Sequence, residues 1–239
     1  MHYEVELGLI MGKTVRDLDP EDTQGAMDAI EGKETCTSSL KPRNTILQLT
    51  LLETHCLSNW LSTKELPDTF KCGFRHLSTL LDSSQDCSKA IQANMLVGYL
   101  LAIDMTARNV QDEAKKKGLP WSIAKGFDTF LPISNLIAKS RIPDPQNAHL
   151  WLSVNSEIKQ SDNTELMLFR IPRQLSDISR VMTLEKGDII LTGTPKGVGP
   201  VNTGDVMKAG LKVNGKDIEE ANINVPVVDR EGPYAFKET

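Results

Sequence analysis

An alternating run near the start of the chain constrains the fold more than any other feature of the sequence. The apolar residues Val5, Leu7 and Leu9 occupy every second position and alternate with Glu4, Glu6 and Gly8. A period of two indicates a β-strand with one face against a core. Alternate side chains of a strand point to the same side, so the two glutamates project together, roughly 7 Å apart. The run predicts a strand that carries a pair of acids on its second face.

The acidic pair has two interpretations. Two neighbouring anions repel each other, and a hard divalent cation bound by both would remove the repulsion. Oxygen ligands suit Mg²⁺, Mn²⁺ or Ca²⁺ better than zinc. A solvated strand face with two surface glutamates is the alternative, and the spacing alone leaves both open.

Composition excludes several classes of partner. The 239 residues carry a net charge of -5, and the longest basic run has only three lysines, Lys115 to Lys117. We therefore expect neither nucleic acid nor a membrane surface as a partner, and a small molecule is favoured. No stretch approaches the roughly 20 apolar residues of a membrane span, and no targeting segment is evident in the chain.

The segment from about 33 to 97 differs in amino-acid composition from the rest of the chain. It is rich in Leu, Ser, Thr and Cys, shows helical periodicity, and holds every cysteine, namely Cys36, Cys56, Cys72 and Cys87. His55 and His76 near these cysteines leave a zinc site open, although free thiols are the other interpretation. We interpret the chain as one domain, 1–239, interrupted by an insertion at about 33–97; a helical subdomain is the alternative.

A second polar cluster follows an apolar strand at 99–103. Asp104 ends this strand, and a helix is predicted from about Thr106, as its cap, to residue 117, with Gly118 after it. Arg108 and Gln111 are three positions apart and share a face of that helix. This arrangement indicates a polar site at a strand-to-helix junction, and a helix cap with surface side chains is the alternative.

Two further stretches carry candidate site residues. Lys125 lies among apolar residues, where a lysine commonly extends its ammonium to solvent. After the apolar strand at 187–191, the glycines and threonines of 192–199 let backbone N–H groups approach a carboxylate or phosphate. An ordinary surface turn is the alternative for this loop. Between them, Asn155 and Ser156 predict the turn of a β-hairpin, and a helix is predicted at 174–182.

Four motifs in order, HYEVELG at 2–8, IDMTAR at 103–108, KKGLPW with AK at 116–125, and DIILTGTPKGVG at 188–199, resemble the fumarylacetoacetate hydrolase family, in particular its acylpyruvase branch. The resemblance covers residues 2–32 and 98 to about 210. It implies an α+β fold, a mixed β-roll with peripheral helices, and a homodimer. It also implies Mg²⁺ or Mn²⁺ held by Glu4, Glu6 and Asp104.

The same resemblance implies a pocket for a small 2-oxo acid. Arg108, Gln111, Lys125 and Thr194 match residues that bind substrate, and Lys125 is also the implied catalytic group. The implied activities are acylpyruvate hydrolysis and oxaloacetate decarboxylation or tautomerisation, all through a metal-stabilised enolate. The implied location is mitochondrial or cytoplasmic.

Two departures from the family pattern lead to an alternative. The pattern begins some tens of residues earlier, with a lid that carries a His and a Glu, and none of His55, His76 and His149 matches that general base. The inserted segment is the second departure. The alternative is a truncated, catalytically incomplete chain that only binds metal or pairs with full-length subunits. If it is active, we expect enolate chemistry to exceed hydrolysis.

The insertion interpretation predicts that a chain with Gly32 joined to Gly98 keeps its stability. Loop-closure entropy grows only slowly with loop length, so removing a peripheral segment costs little. Thermal unfolding of both chains is the measurement. A clearly lower midpoint for the shortened chain would show that the segment contributes to the core.

Overall fold

The structure of the protein, a computed structural model, describes residues 1–19, 21–30, 46–48 and 98–237. Of the segment 33–97, only residues 46–48 are described, so the residues that carry the predicted helical periodicity and all four cysteines lie outside the described residues. The insertion and the single domain therefore stay predictions.

Twelve strands and four helices are described, and we number each kind in chain order. The helices are α1 (Thr23–Ala29), α2 (Arg108–Lys117), α3 (Ser122–Lys125) and α4 (Ile171–Val181). The strands are β1 (His2–Tyr3), β2 (Val5–Ile10), β3 (Ile46–Gln48), β4 (Gly98–Ile103), β5 (Ile137–Ala138), β6 (His149–Val154), β7 (Glu157–Asn163), β8 (Ile189–Leu191), β9 (Gly199–Pro200), β10 (Val206–Val213), β11 (Lys216–Asp217) and β12 (Ile223–Pro226).

The chain forms two compact units. The first comprises Met1–Gly8, Tyr99–Arg170 and Thr194–Thr239, and the second Leu9–Gly98 and Ile171–Gly193. Strand β2 begins in the first unit and ends in the second.

Strands β2 and β4 lie side by side in one sheet. The predicted alternation in β2 is present, with Val5 and Leu7 fully buried. The second face is buried as well, because Glu4 and Glu6 are only 4% and 2% exposed. The interpretation of a solvated strand face with surface glutamates is therefore wrong. Every residue of β4 is also buried, as expected for a strand covered on both faces.

An antiparallel sheet in the order β11-β10-β6-β7 completes the first unit, with β12 also paired to β10. The predicted hairpin is confirmed: β6 and β7 are joined by Asn155 and Ser156, which have φ angles of 49° and 71°. Such left-handed angles at both central residues match the twist of the flanking strands. The Asn155 side chain also accepts from Val206 N at 2.9 Å, which fastens the turn to β10.

Helix α2 begins one residue later than predicted. Its N-cap is Ala107, and no side chain caps it. Thr106 does not act as the cap, because its backbone N–H and C=O pair with His2 at 2.9 Å each. The end of the helix is as predicted: Gly118 adopts a φ of 65°, and the last turn is basic. The pairing of Thr106 with His2 sets the chain direction between β4 and α2.

The second unit contains α1, α4, β3 and β8. Helix α4 begins at Ile171, three residues before its predicted start, and buries Ile171, Leu175 and Ile178. Helix α1 packs against it. Strand β3 pairs in parallel with β8.

The described elements combine parallel and antiparallel strands with a few helices, which agrees with the predicted α+β class. In the described part of the chain, every helix falls short of the length and apolar character that crossing a bilayer requires.

A close approach between β6 and β10 yields a stability prediction. Gly210 faces Trp151, and a Cβ added at Gly210 would lie 2.6 Å from Trp151 Cζ2. We expect Gly210→Ala to lower the free energy of unfolding by about 1–3 kcal/mol through overpacking. Gly232→Ala is the control, because nothing lies within 4 Å of that Cβ. Chemical denaturation measures both, and equal stabilities would contradict the expected clash.

Candidate metal centre

Three acidic side chains meet in the first unit. Glu4 and Glu6 project to the same side of the first strand region, and Asp104 follows directly after β4. Asp104 N donates to Glu4 O at 2.7 Å, which brings the two strand ends together. One carboxylate oxygen from each of the three residues lies within 4.8 Å of the others, and all three residues are buried. The structure thus brings together the three acids that the sequence predicted as metal ligands.

Lys125 lies against two of these carboxylates. Its Nζ donates to Glu4 Oε2 at 2.8 Å and also to Asp104 Oδ2. The Lys125 side chain is only 6% exposed, so the interpretation of an ammonium in solvent is wrong. A backbone hydrogen bond from Ala107 N to Ala124 O, at 2.9 Å, holds α3 next to the residues that follow Asp104.

Arg108 is the second cation of the site. Its Nη2 donates to Glu4 Oε1 at 2.7 Å, and its Nη1 donates to Gln111 Oε1. Gln111 itself is buried, one turn along α2. Both residues of the predicted Arg108 and Gln111 pair therefore lie at the acidic cluster, and the interpretation as surface side chains of a helix cap is wrong.

His2 is a site residue that the sequence analysis missed. Its Nδ1 accepts from Arg108 Nε at 3.3 Å. Burial, and then the charge of Arg108, lower the pKa of His2, which favours the neutral imidazole that such an acceptor requires. The sequence did contain a signal for this role, because His2, Glu4 and Glu6 occupy every second position of one strand region.

Burial dominates the electrostatics of Asp104. It raises the pKa of Asp104 to about 7, because a carboxylate loses its hydration there. The Lys125 ammonium opposes this effect, and the nearby Glu4 carboxylate adds to it. Burial thus favours the protonated form of Asp104, and the neighbouring Lys125 ammonium favours the ionised form.

This donor set fits a hard divalent cation. Three buried carboxylates supply oxygen ligands at one place, as Mg²⁺ and Mn²⁺ require, and Lys125 shows that the cluster accepts a positive charge. Glu4, Glu6 and Asp104 are the residues that would hold it. Their role as metal ligands stays a prediction.

Thr194 is held by the strand that carries the acids. Its Oγ1 donates to Val5 O at 2.8 Å and accepts from Gln160 Nε2 at 2.9 Å. The hydroxyl proton of Thr194 is thus engaged with the backbone, and its predicted contact with substrate stays a prediction. Gln160 was missed by the sequence analysis because it is one of six polar residues in a hairpin strand, with no motif that distinguishes it from the others.

The chain matches the family model described as fumarylacetoacetate (FAA) hydrolase C-terminal over residues 82–223, which is more than half of its length. It is 55% identical over 124 residues to the oxaloacetate tautomerase FAHD1, mitochondrial, of Bos taurus, covering 52% of this chain and 56% of that protein. It is 55% identical over 114 residues to the oxaloacetate decarboxylase, mitochondrial, of Dictyostelium discoideum, covering 48% and 52%. The chain spans about half the length of these relatives.

Solved structures show the same relationship. A yeast protein, ynq8, of the fumarylacetoacetate hydrolase family superposes with a TM-score of 0.67 at 31% identity, over 99% of this chain and 71% of that one. The fumarylpyruvate hydrolase of Pseudomonas aeruginosa, solved with Mn²⁺ and pyruvate, gives a TM-score of 0.60 at 24% identity, over 95% and 65%. The second likeness shows a common fold. The α+β fold of the family type is thereby confirmed.

The buried contacts of Lys125 generate a prediction. Without added metal, we expect Lys125→Met to lower the free energy of unfolding by about 3 kcal/mol, because Glu4 and Asp104 lose their buried partner. Added Mn²⁺ should restore part of the loss. Lys117→Met is the control, since its pair with Glu113 is 45% exposed on the lysine side and its removal should cost less than about 1 kcal/mol. Equal effects in denaturant titrations would contradict the prediction.

Proposed function

Because the chain belongs to the fumarylacetoacetate hydrolase family, we propose that it is a Mg²⁺- or Mn²⁺-dependent enzyme acting on small 2-oxo acids. The observation that carries the proposal is the convergence of Glu4, Glu6 and Asp104 beside Lys125. Relatives named oxaloacetate tautomerase and oxaloacetate decarboxylase support oxaloacetate as a substrate.

When bound, the divalent cation supplies Lewis-acid stabilisation of the negative charge that develops on the 2-oxo oxygen. Lys125 holds Glu4 and Asp104 in place through its two hydrogen bonds. Its ammonium also places positive charge at the centre of the reaction, in surroundings that exclude most water. Lys125 is thus both the predicted catalytic group and the residue that keeps two of the three acids together.

Arg108 and Gln111 are suited to the far end of the substrate. A guanidinium has five N–H donors, and those of Arg108 engage His2, Gln111 and Glu4 among the described residues. Three of the five are thereby used, and the orientation of the planar group is set. The remaining two can donate to a second carboxylate, such as the distal one of oxaloacetate.

The groups present favour enolate chemistry over hydrolysis. Tautomerisation moves a proton between C3 and the 2-oxo oxygen and therefore needs a base that takes the C3 proton. Decarboxylation breaks a C–C bond, releases CO₂ and leaves its electron pair on the enolate, so no proton has to be removed. Both need stabilised negative charge, which Lys125 and a bound cation supply. Hydrolysis of an acylpyruvate also needs a water activated by a positioned base, which contributes about 10²- to 10⁴-fold. We therefore propose oxaloacetate as the better substrate.

The alternative is a chain that binds the cation without turnover, or that pairs with full-length subunits. The proposal also includes a homodimer, which the family resemblance implies. The names of the relatives support the mitochondrial location rather than the cytoplasmic one.

Calorimetry with Mn²⁺ and measurement of oxaloacetate turnover test the proposal. We expect Glu6→Gln to weaken Mn²⁺ binding by at least about tenfold and to reduce turnover in parallel, because it removes one anionic ligand. Glu157→Gln, at a side chain 74% exposed, should change neither. Mn²⁺ binding without turnover of oxaloacetate or acetylpyruvate would favour the alternative. Absence of Mn²⁺ binding in the unsubstituted chain would overturn both the metal-dependent enzyme and the alternative that only binds the cation.

A further inference from the structure

We propose that Gln160 is a positioning residue that sets the distance between the metal ligands Glu4 and Glu6. This inference rests on the proposed function, because it assigns those two glutamates to a divalent cation. Gln160 does not touch the carboxylates. It acts through Val5, the residue between them, and through Thr194.

The contacts of Gln160 form a closed network inside the first unit. Its Oε1 accepts from Val5 N at 3.0 Å, and its Nε2 donates to Thr194 Oγ1 at 2.9 Å and to Pro195 O at 2.8 Å. Thr194 Oγ1 in turn donates to Val5 O at 2.8 Å. Two side chains thus bind both polar backbone groups of Val5. Gln160 is only 1% exposed, so water offers no replacement.

This network requires the chemistry of a primary amide. An amide side chain offers an acceptor and two N–H donors in one plane, and Gln160 uses all three functions. An apolar side chain of the same length would leave Val5 N and Pro195 O without these partners. A buried backbone group without a partner is costly, so the strand would shift to regain one.

A shift at Val5 moves the two acids on either side of it. Glu4 and Glu6 are its immediate neighbours, and one carboxylate oxygen of each lies within 4.8 Å of the other and of one carboxylate oxygen of Asp104. Mg²⁺ and Mn²⁺ tolerate little distortion, since Mg²⁺ demands near-octahedral geometry. Residues that orient metal ligands typically change metal affinity by about 10- to 100-fold when they are replaced. Gln160 therefore contributes to metal affinity as well as to stability.

The test compares Gln160→Met with Thr164→Val by Mn²⁺ calorimetry and by amide hydrogen exchange in the metal-free chain. Thr164 is the matched control, because it is 3% exposed and its Oγ1 accepts from Ala148 N at 2.8 Å, a buried bond that involves neither β2 nor an acid. We expect Gln160→Met to weaken Mn²⁺ binding by about tenfold or more and to accelerate exchange at Val5. Thr164→Val should lower stability and leave Mn²⁺ affinity and Val5 exchange unchanged.

Thr194→Val is the second variant, and it decides the matter if Gln160→Met does not fold. It removes the hydroxyl that joins Gln160 to Val5 O, so we expect weaker Mn²⁺ binding and faster exchange at Val5. Folded variants that bind Mn²⁺ as the unsubstituted chain does would overturn the positioning role. If the unsubstituted chain binds no Mn²⁺, the proposed function fails. Amide exchange at Val5 then decides whether Gln160 holds the strand in place. An exchange rate at Val5 that is the same in the variants as in the unsubstituted chain would overturn this structural role as well.

Discussion

Three carboxylates buried at one place are costly, and the arrangement of the site depends on offsetting that cost. Two like charges 4 Å apart repel by about 4 kcal/mol at an effective dielectric constant of about 20. Lys125 bonds Glu4 and Asp104, and Arg108 bonds the other oxygen of Glu4. Because both cations come from the segment that follows Asp104, one stretch of chain supplies an acid together with the charges that stabilise it and Glu4.

Backbone hydrogen bonds give this cluster its geometry. Asp104 N donates to Glu4 O, and Thr106 pairs with His2 in both directions, so the residues after β4 are aligned with the start of the chain. In separate contacts, the side chains of Gln160 and Thr194 bind the backbone N–H and C=O of Val5. The acids are therefore carried by backbone that is fastened by contacts from distant parts of the sequence, which is the preorganisation that a metal centre requires.

The site residues divide unevenly over the family match. Asp104, Arg108, Gln111 and Lys125 lie within residues 82–223, the part that matches the family model. Glu4 and Glu6 precede the matched part, and the segment at about 33–97 lies between them and the other four residues. The structure nevertheless places one oxygen from each acid within 4.8 Å of the others. A function proposed for this chain consequently depends on the tertiary pairing of the first strand region with β4.

The sequence by itself determined the strand character of β2, the Asn155–Ser156 turn and the end of α2 at Gly118, because these follow from periodicity and residue type over a few positions. The set of three acids was indicated by the resemblance to the family, and the spacing of the glutamates alone left their role open. Only the tertiary structure decided that the second face of β2 is buried and that His2 orients Arg108. It also decided that Thr106 pairs with the first strand instead of capping α2. Gln160 is the clearest case, since it lies 155 positions from Val5, and no local pattern encodes a hydrogen bond between residues so far apart. Such contacts arise when burial removes water and each polar group must find a partner within the fold.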